Sequence, residues 1–444
     1  MTRRPLLRLS ALLCVLSLCL TACGGGGPKG VSRERLLADH AGQEPPVSTV
    51  APEVTPTPQG PASSDAPTLP AASDSPQGPT PTPQGPVIPE GYVAWGKNQV
   101  VEHIFFHPVI AYPQWAFHDC AASKSQREGL DDWMVTVDEY NKILQSLYDK
   151  GYVLVDINDV WKETVNADGQ PRMERQELAV PAGKKPLIIS YDDTNYYDYM
   201  LEQGFTSKLV LGEDGEIWAE CTDPYTQETF LTQDLDAITI LDKFVRAHPD
   251  FSPSGAKGCL SLTGYQGILG YRTQTDRTLP ENEQVVWELQ RLRERAAVRP
   301  IVARLRETGW TFGSHTWGHV NLTNRSLEKT QEDTQRWLDE VGSLVGPTKI
   351  LFYPHGARPD GGDDVKQTGP VFQYLQEQGF RVFCSVGIES YSKVKSDISA
   401  VICDRLHPDG TTLRWQRKRY LQFYDAKDIM DVTVRPDLGY KWGD

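Results

Sequence analysis

The stretch LIISYDDTNYY, residues 187–197, runs an apolar segment into Tyr191 and then sets two carboxylates, Asp192 and Asp193, side by side. Neighbouring side chains of a β-strand point to opposite faces, so a single solvated edge does not account for both acids. An acid pair closing an apolar strand therefore raises two questions: what the strand belongs to, and why its carboxyl end carries two negative charges.

The flanking sequence answers the first. VEHIFF (101–106) is predicted as a strand. Thr136-Val137-Asp138-Glu139 forms a capping box, followed by Tyr140, Ile143, Leu144, Leu147 and Tyr148 at helical spacing before Gly151 closes the helix. YVLVDI then predicts another strand, so the unit reads βαβ. Downstream the alternation continues: LIIS strand, DLDAITILDKFVRAH (234–248) helix, GCLSLTG (258–264) strand, two helices broken at Pro300, WTFGS strand, SLEKTQEDTQRWLDEVG (326–342) helix, KILFYP strand, GPVFQYLQEQG helix, RVFCSVG and SAVICDRL strands. Such alternation calls for a parallel sheet, and this many units predicts closure into an α/β barrel. GEDGEIW (212–218), with its Asp-Gly turn, predicts a hairpin within an insertion.

Four polar clusters fall at the carboxyl ends of predicted strands: Asp192-Asp193, the GSHTWGHVNL run (313–322) with His315 and His319, Tyr353-Pro354-His355-Gly356, and Arg405-Leu406-His407. Strand ends of a barrel converge on one face, where active sites of such folds lie. His315 and His319 are four residues apart, a spacing at which one helical turn would place two imidazoles on one side, ready to bind a divalent metal. His103, His107 and His118, in an early strand and loop, read as structural. The aromatic run YYDYM after the aspartates suggests either a sugar-stacking platform or core and rim positions.

Ser190-Tyr191-Asp192-Asp193 resembles the T-F-D-D motif of polysaccharide deacetylases, the NodB-homology or carbohydrate esterase family 4 enzymes, and His315-Thr316-Trp317-Gly318-His319 resembles their H-(S/T)-x-x-H. The resemblance runs over roughly residues 101–428 and is nearest to the extracellular branch, in which a strand, helix and strand precede the aspartates. It implies a distorted (β/α) barrel of the NodB type with an insertion, about 206–257, between the first and second motifs. It implies Asp193, His315 and His319 as ligands of a divalent metal, zinc first, with cobalt, nickel and manganese as alternatives. Asp192 would be the general base, His407 or His355 the general acid, and the backbone of Tyr353, Pro354 and Gly356 the oxyanion contact. The implied reaction removes N-acetyl or O-acetyl groups from cell-wall or extracellular polysaccharide.

The chain departs from the family pattern in its third motif, where Phe352-Tyr353-Pro354-His355 lacks the arginine that orients the base; Arg358 and Arg405 are the candidates to replace it. The fourth motif is not recognisable. A catalytically silent glycan-binding lipoprotein on the same barrel is the competing reading.

The ends and composition bear on location and partners. Residues 1–22 read as a leader: three arginines, the ten-residue apolar stretch ALLCVLSLCL, and then Leu20-Thr21-Ala22-Cys23, which looks like a bacterial lipobox with Cys23 acylated. Residues 23–90, rich in Pro, Thr and Ser and with PTPQGP occurring twice, form an extended spacer, leaving 91–444 as the catalytic domain. The expectation is a lipid-anchored extracytoplasmic protein. Formal net charge is −14, which disfavours nucleic acid and favours neutral or cationic partners. Of the eight cysteines, five, Cys120, Cys221, Cys259, Cys384 and Cys403, lie in the folded part, an odd number, widely spaced without a CxxC, which argues against a disulfide framework and a zinc knuckle.

Overall fold

Strand β1 (Glu102–Phe106) and helix α1 (Val137–Asp149) open the α/β part. Thr136 and Glu139 form the expected reciprocal cap, and α1 buries Tyr140, Ile143, Leu144 and Leu147. The chain then runs through β2 (Tyr152–Leu154), β3 (Lys185–Asp192), α2 (Ala237–Ala247), β4 (Cys259–Leu262), α3 (Glu281–Glu307) and β5 (Thr311–Ser314). It ends with α4 (Leu327–Trp337), β6 (Ile350–Phe352), α5 (Pro370–Glu377), β7 (Val382–Val386) and β8 (Ala400–Arg405). This computed structural model describes residues 88–276, 278–359, 369–395 and 399–439. The leader, Cys23 and most of the spacer lie outside the described residues. None of the described helices is long and apolar enough to cross a membrane.

The strands form one nine-stranded sheet, in the order Tyr391–Lys395, β8, β7, β6, β5, β4, β3, β1, with β2 also paired to β3. All pairings among β1 to β8 are parallel. The sheet curls until its ends meet: Phe105 N–H donates to Leu406 O at 2.9 Å and Leu406 N–H to His103 O at 3.0 Å, a parallel bridge joining β1 to the end of β8. The α/β barrel expected from the alternation is therefore the observed architecture. Between β3 and β4 lies a three-stranded antiparallel sheet, Lys208–Leu211, Ile217–Thr222 and Thr229–Thr232, whose first turn is the expected Asp-Gly hairpin.

One expectation fails. α3 continues through Pro300 rather than breaking there. An interior proline costs about 3 kcal/mol by removing a hydrogen bond and crowding the preceding turn. Here the turns around it bury Val298, Ile301, Val302 and Leu305 against the body of the fold, which offsets that cost.

Strand alternation sorts the side chains between lumen and helical layer. On β3, Ile188, Ser190 and Asp192 share one face, whereas Ile189 and Tyr191 pack with the helices. Gly313 on β5 leaves room for Phe352, since a Cβ at this position would lie 2.4 Å from that ring. This allows Phe352 to lie across the lumen.

Candidate active site

The carboxyl ends of β1, β3, β5, β6 and β8 bring together His107, Asp192, Asp193, His315, His319, His355 and Arg405. The acid pair divides as alternation requires. Asp192, the last residue of β3, stays in the lumen and accepts two hydrogen bonds from Arg405, Nη1 to Oδ1 and Nη2 to Oδ2, each 2.8 Å. Arg405 is fully buried, its guanidinium 4.1 Å from the Phe105 ring centroid and 4.6 Å from that of Phe352. Further bonds run from Nη1 to Ser190 Oγ (3.0 Å) and from Nε to Ser385 O (3.3 Å). Burial alone would raise the Asp192 carboxyl; the Arg405 charge, followed by His315, outweighs it and holds the group well below the usual carboxylate range. Of the two arginine candidates, then, Arg405 reaches Asp192, the expected base. Arg358 pairs with Asp404 at 2.5 Å.

Asp193 leaves the strand with φ at 61°, which turns its carboxylate away from Asp192 and toward the histidines. Its Oδ2 is 3.7 Å from His319 Nε2 and 3.9 Å from His107 Nε2, and its Oδ1 accepts from Tyr197 OH at 2.7 Å. One donor atom from each of Asp193, His315 and His319 lies within 4.8 Å of the others. His315 Nδ1 is 3.0 Å from Phe352 O; a carbonyl only accepts, so Nδ1 carries the proton and Nε2 presents a lone pair. A carboxylate and two imidazoles converging on one point suit a divalent metal, and the residues fit the group the resemblance implies.

The two histidines converge in a different way from the helical turn expected. Residues 315–321 form no helix; Thr316 and His319 have φ of 60° and 50°, and the imidazole centroids lie 4.9 Å apart. Asp333 of α4 explains this, because its carboxylate accepts the N–H groups of Trp317 (2.8 Å) and Gly318 (2.9 Å), replacing the bonds a helix would supply. Left-handed φ recurs at His355 (59°), so Asp193, Thr316, His319 and His355 all store backbone strain around one centre.

The expected oxyanion contact is narrower than the sequence suggested. Tyr353 N–H donates to Cys384 O (2.8 Å), Gly356 N–H donates to Tyr353 O (3.0 Å), and Pro354 has no N–H, so none of these three can supply a donor. His355 N–H is the remaining candidate in that turn. The His355 ring sits 4.5 Å from that of His319.

His407 is present at the site but reaches Asp193 only through another residue. Its Nδ1 lies 2.9 Å from Asp409 Oδ2, and its Nε2 is 3.1 Å from Nδ1 of His107, while the ring stacks on Phe105 at 4.2 Å. Since Asp409 accepts from Nδ1–H, His407 Nε2 accepts from His107, whose own Nε2 then presents a lone pair toward Asp193. His107, read from sequence as structural, belongs to the site. His118 is structural, its Nε2 bonded to Val434 O at 2.7 Å, and His103 lies lower in the lumen. Burial lowers His107 to about 4 and His319 to about 3. Of the YYDYM aromatics, Tyr196 and Tyr197 are core residues bonded to Asp236 and Asp193, and only Tyr199 reaches the rim.

No curated protein matches the chain. Among solved structures, the Streptococcus pyogenes deacetylase PplD in complex with acetate is similar at 12% identity and a TM-score of 0.35, over 70% of this chain and 93% of that one. IcaB from Ammonifex degensii is similar at 12% and 0.34, again over 70% and 93%. The polysaccharide deacetylase BC0361 from Bacillus cereus gives 11% and 0.34, over 74% and 69%. At those scores the likenesses carry no argument about chemistry. Residues 282–376, which hold His315, His319 and His355 but not the aspartate pair, match the family model described as polysaccharide deacetylase.

Proposed function

We propose that the chain is a metal-dependent deacetylase that hydrolyses N-acetyl or O-acetyl groups on cell-wall or extracellular polysaccharide. One observation carries this: two adjacent carboxylates in opposed environments, Asp192 clamped by Arg405 and Asp193 gathered with His315 and His319. A binding protein needs no base held ionised beside a ligand set; a hydrolase needs both. The arginine supplied from β8 answers one of the two departures that favoured the silent glycan-binding reading, the other being the unrecognisable fourth motif.

Asp193, His315 and His319 would hold the cation, which when bound supplies Lewis acidity toward the acetyl carbonyl and the attacking water. Asp192 takes the proton of that water, and Arg405 fixes both carboxylate oxygens so that only the orientation facing the cleft is used. His355 N–H faces the oxygen on which negative charge develops. As water oxygen bonds to the carbonyl carbon and the C–N or C–O bond breaks, the leaving amine or alcohol takes a proton from the histidine array. In that array His107 faces the centre with its Nε2 lone pair, so it donates only after taking up a proton from solvent, and His407 with Asp409 behind it shares the resulting charge; His407 thus acts through His107, and His355 is the rival donor. The products are acetate and the free amine or hydroxyl. In this reading the leader and Cys23 place the enzyme outside the cytoplasm on a lipid anchor, with the spacer giving it reach to a polymer.

Acetate release from N-acetylglucosamine oligomers and from peptidoglycan, by metal-loaded wild type beside Asp192→Asn and His315→Ala, tests the proposal. Release by wild type that both substitutions abolish is expected. Absence of release from every glycan despite stoichiometric bound metal would overturn it.

A further inference from the structure

One layer below the Asp192–Arg405 pair, three ligand side chains meet in the closed lumen. Cys384 on β7 and Cys403 on β8 sit directly opposite each other in the parallel register, with their Sγ atoms 3.0 Å apart. His103 on β1 comes alongside because β1 closes against β8; a ring nitrogen of His103 and the two sulfurs lie within 4.8 Å of one another. All three are buried, with exposures of 2%, 0% and 1% for His103, Cys384 and Cys403. The histidine identifies the cluster as more than two packed thiols. Its Nε2 is bonded to Ser190 Oγ at 3.0 Å, whereas Nδ1 has no hydrogen-bond partner in the protein. A buried imidazole nitrogen without a partner is rare and calls for a reason.

We propose that His103, Cys384 and Cys403 form a second cation site, distinct from the Asp193, His315 and His319 set, selective for a thiophilic d10 cation such as Zn(II) or Cu(I). Two thiolates and one imidazole are the donor set that such cations prefer over harder ones. Ser190 Oγ supplies the outer contact that a metal-bound histidine needs: with Nε2–H donated to the hydroxyl, Nδ1 turns its lone pair to the cation. Binding breaks two S–H bonds, forms two metal–sulfur bonds and one metal–nitrogen bond, and releases two protons to solvent. With a divalent cation the filled cluster is neutral, as an apolar lumen requires. Burial holds the His103 imidazole neutral and pushes the Cys384 thiol up, so the Cys384 thiol stays protonated until a cation displaces its proton. A Cys384–Cys403 disulfide is the alternative fate of the pair, but it leaves His103 Nδ1 unsatisfied.

The test separates this site from the first. In a His315→Ala/His319→Ala background of the full chain, Co(II) serves as a spectroscopic stand-in for Zn(II), because thiolate ligation gives a near-ultraviolet charge-transfer band that a carboxylate-imidazole set lacks. One retained equivalent with that band, lost on Cys384→Ser or Cys403→Ser, is expected. A second measurement needs no substitution: pulse alkylation of wild type read by peptide mass, with Zn(II) or Cu(I) added in separate arms. At least tenfold protection confined to Cys384 and Cys403 is expected, with Cys120, Cys221 and Cys259 unchanged. Equal alkylation with and without both cations, or a Cys384–Cys403 disulfide that persists when the reduced chain is refolded in excess Zn(II), would overturn the proposal. Neither readout depends on deacetylase activity.

Discussion

Replacing Arg405 with methionine tests whether the base is held by its pair. Methionine keeps most of the stem volume between Phe105 and Phe352 but removes the guanidinium, leaving Asp192 charged, buried and without its bidentate partner. Asp192 is 3% exposed and Arg405 not at all, so water cannot compensate. Breaking a buried pair by removing one partner costs about 3–5 kcal/mol, most of it the uncompensated charge. If that charge is the cause, Asp192→Asn should relieve it. The cycle of Arg405→Met, Asp192→Asn and the double variant should then show a coupling of roughly 2–3 kcal/mol in denaturant unfolding, the double variant being more stable than Arg405→Met alone. Acetate release should fall by at least a hundredfold in Arg405→Met. Arg405→Lys should recover only part of both losses, because a point charge cannot match the two-oxygen geometry. A coupling within about 0.5 kcal/mol of zero, the additivity expected of independent sites, would refute the reasoning.

Three further expectations follow from the same geometry. His319→Ala should remove stoichiometric metal from the first site, measured by elemental analysis after dialysis, and abolish acetate release with it. Tyr197→Phe deletes the 2.7 Å bond to Asp193 and should weaken metal affinity by about 10–100-fold, the usual effect of losing an outer contact, while leaving the fold intact by circular dichroism. The metal-free protein should lose stability as pH falls below about 6.5, because His107 and His319 fold with pKa values near 4 and 3. The unfolded chain binds more protons throughout that window, so stability rises with pH by up to about 1.4 kcal/mol per unit for each histidine. Unfolding midpoints in urea from pH 7 to 5 measure this; a flat profile would show that these histidines are not buried neutral.

How much the sequence disclosed depends on how far apart the cooperating residues lie. The barrel was legible because alternation and helical spacing act within a dozen residues, and Asp192-Asp193 with His315 and His319 stood out for the same reason. Arg405 did not, since its pairing with Asp192 spans 213 residues and exists only once β1 and β8 meet. It could be named as a candidate beside Arg358 and no more. His107 follows an ordinary strand with no local pattern around it, and only the barrel closure sets it against His407. The left-handed turn holding His319 depends on Asp333, whose one local signal was an acid on the inward side of an amphipathic helix. At Pro300 local chemistry was read correctly and then outweighed by burial on the flanking turns.

The placement of the orienting arginine on the last barrel strand has a consequence for how activity is acquired. In a chain emerging from its amino end, the aspartates and both proposed ligand histidines are made before residue 405. On the proposed assignment, such an intermediate carries the ligand residues but no aligned base. On the proposed reading, catalytic competence therefore reports that the first and last barrel strands are joined, whereas the presence of the ligand residues alone does not.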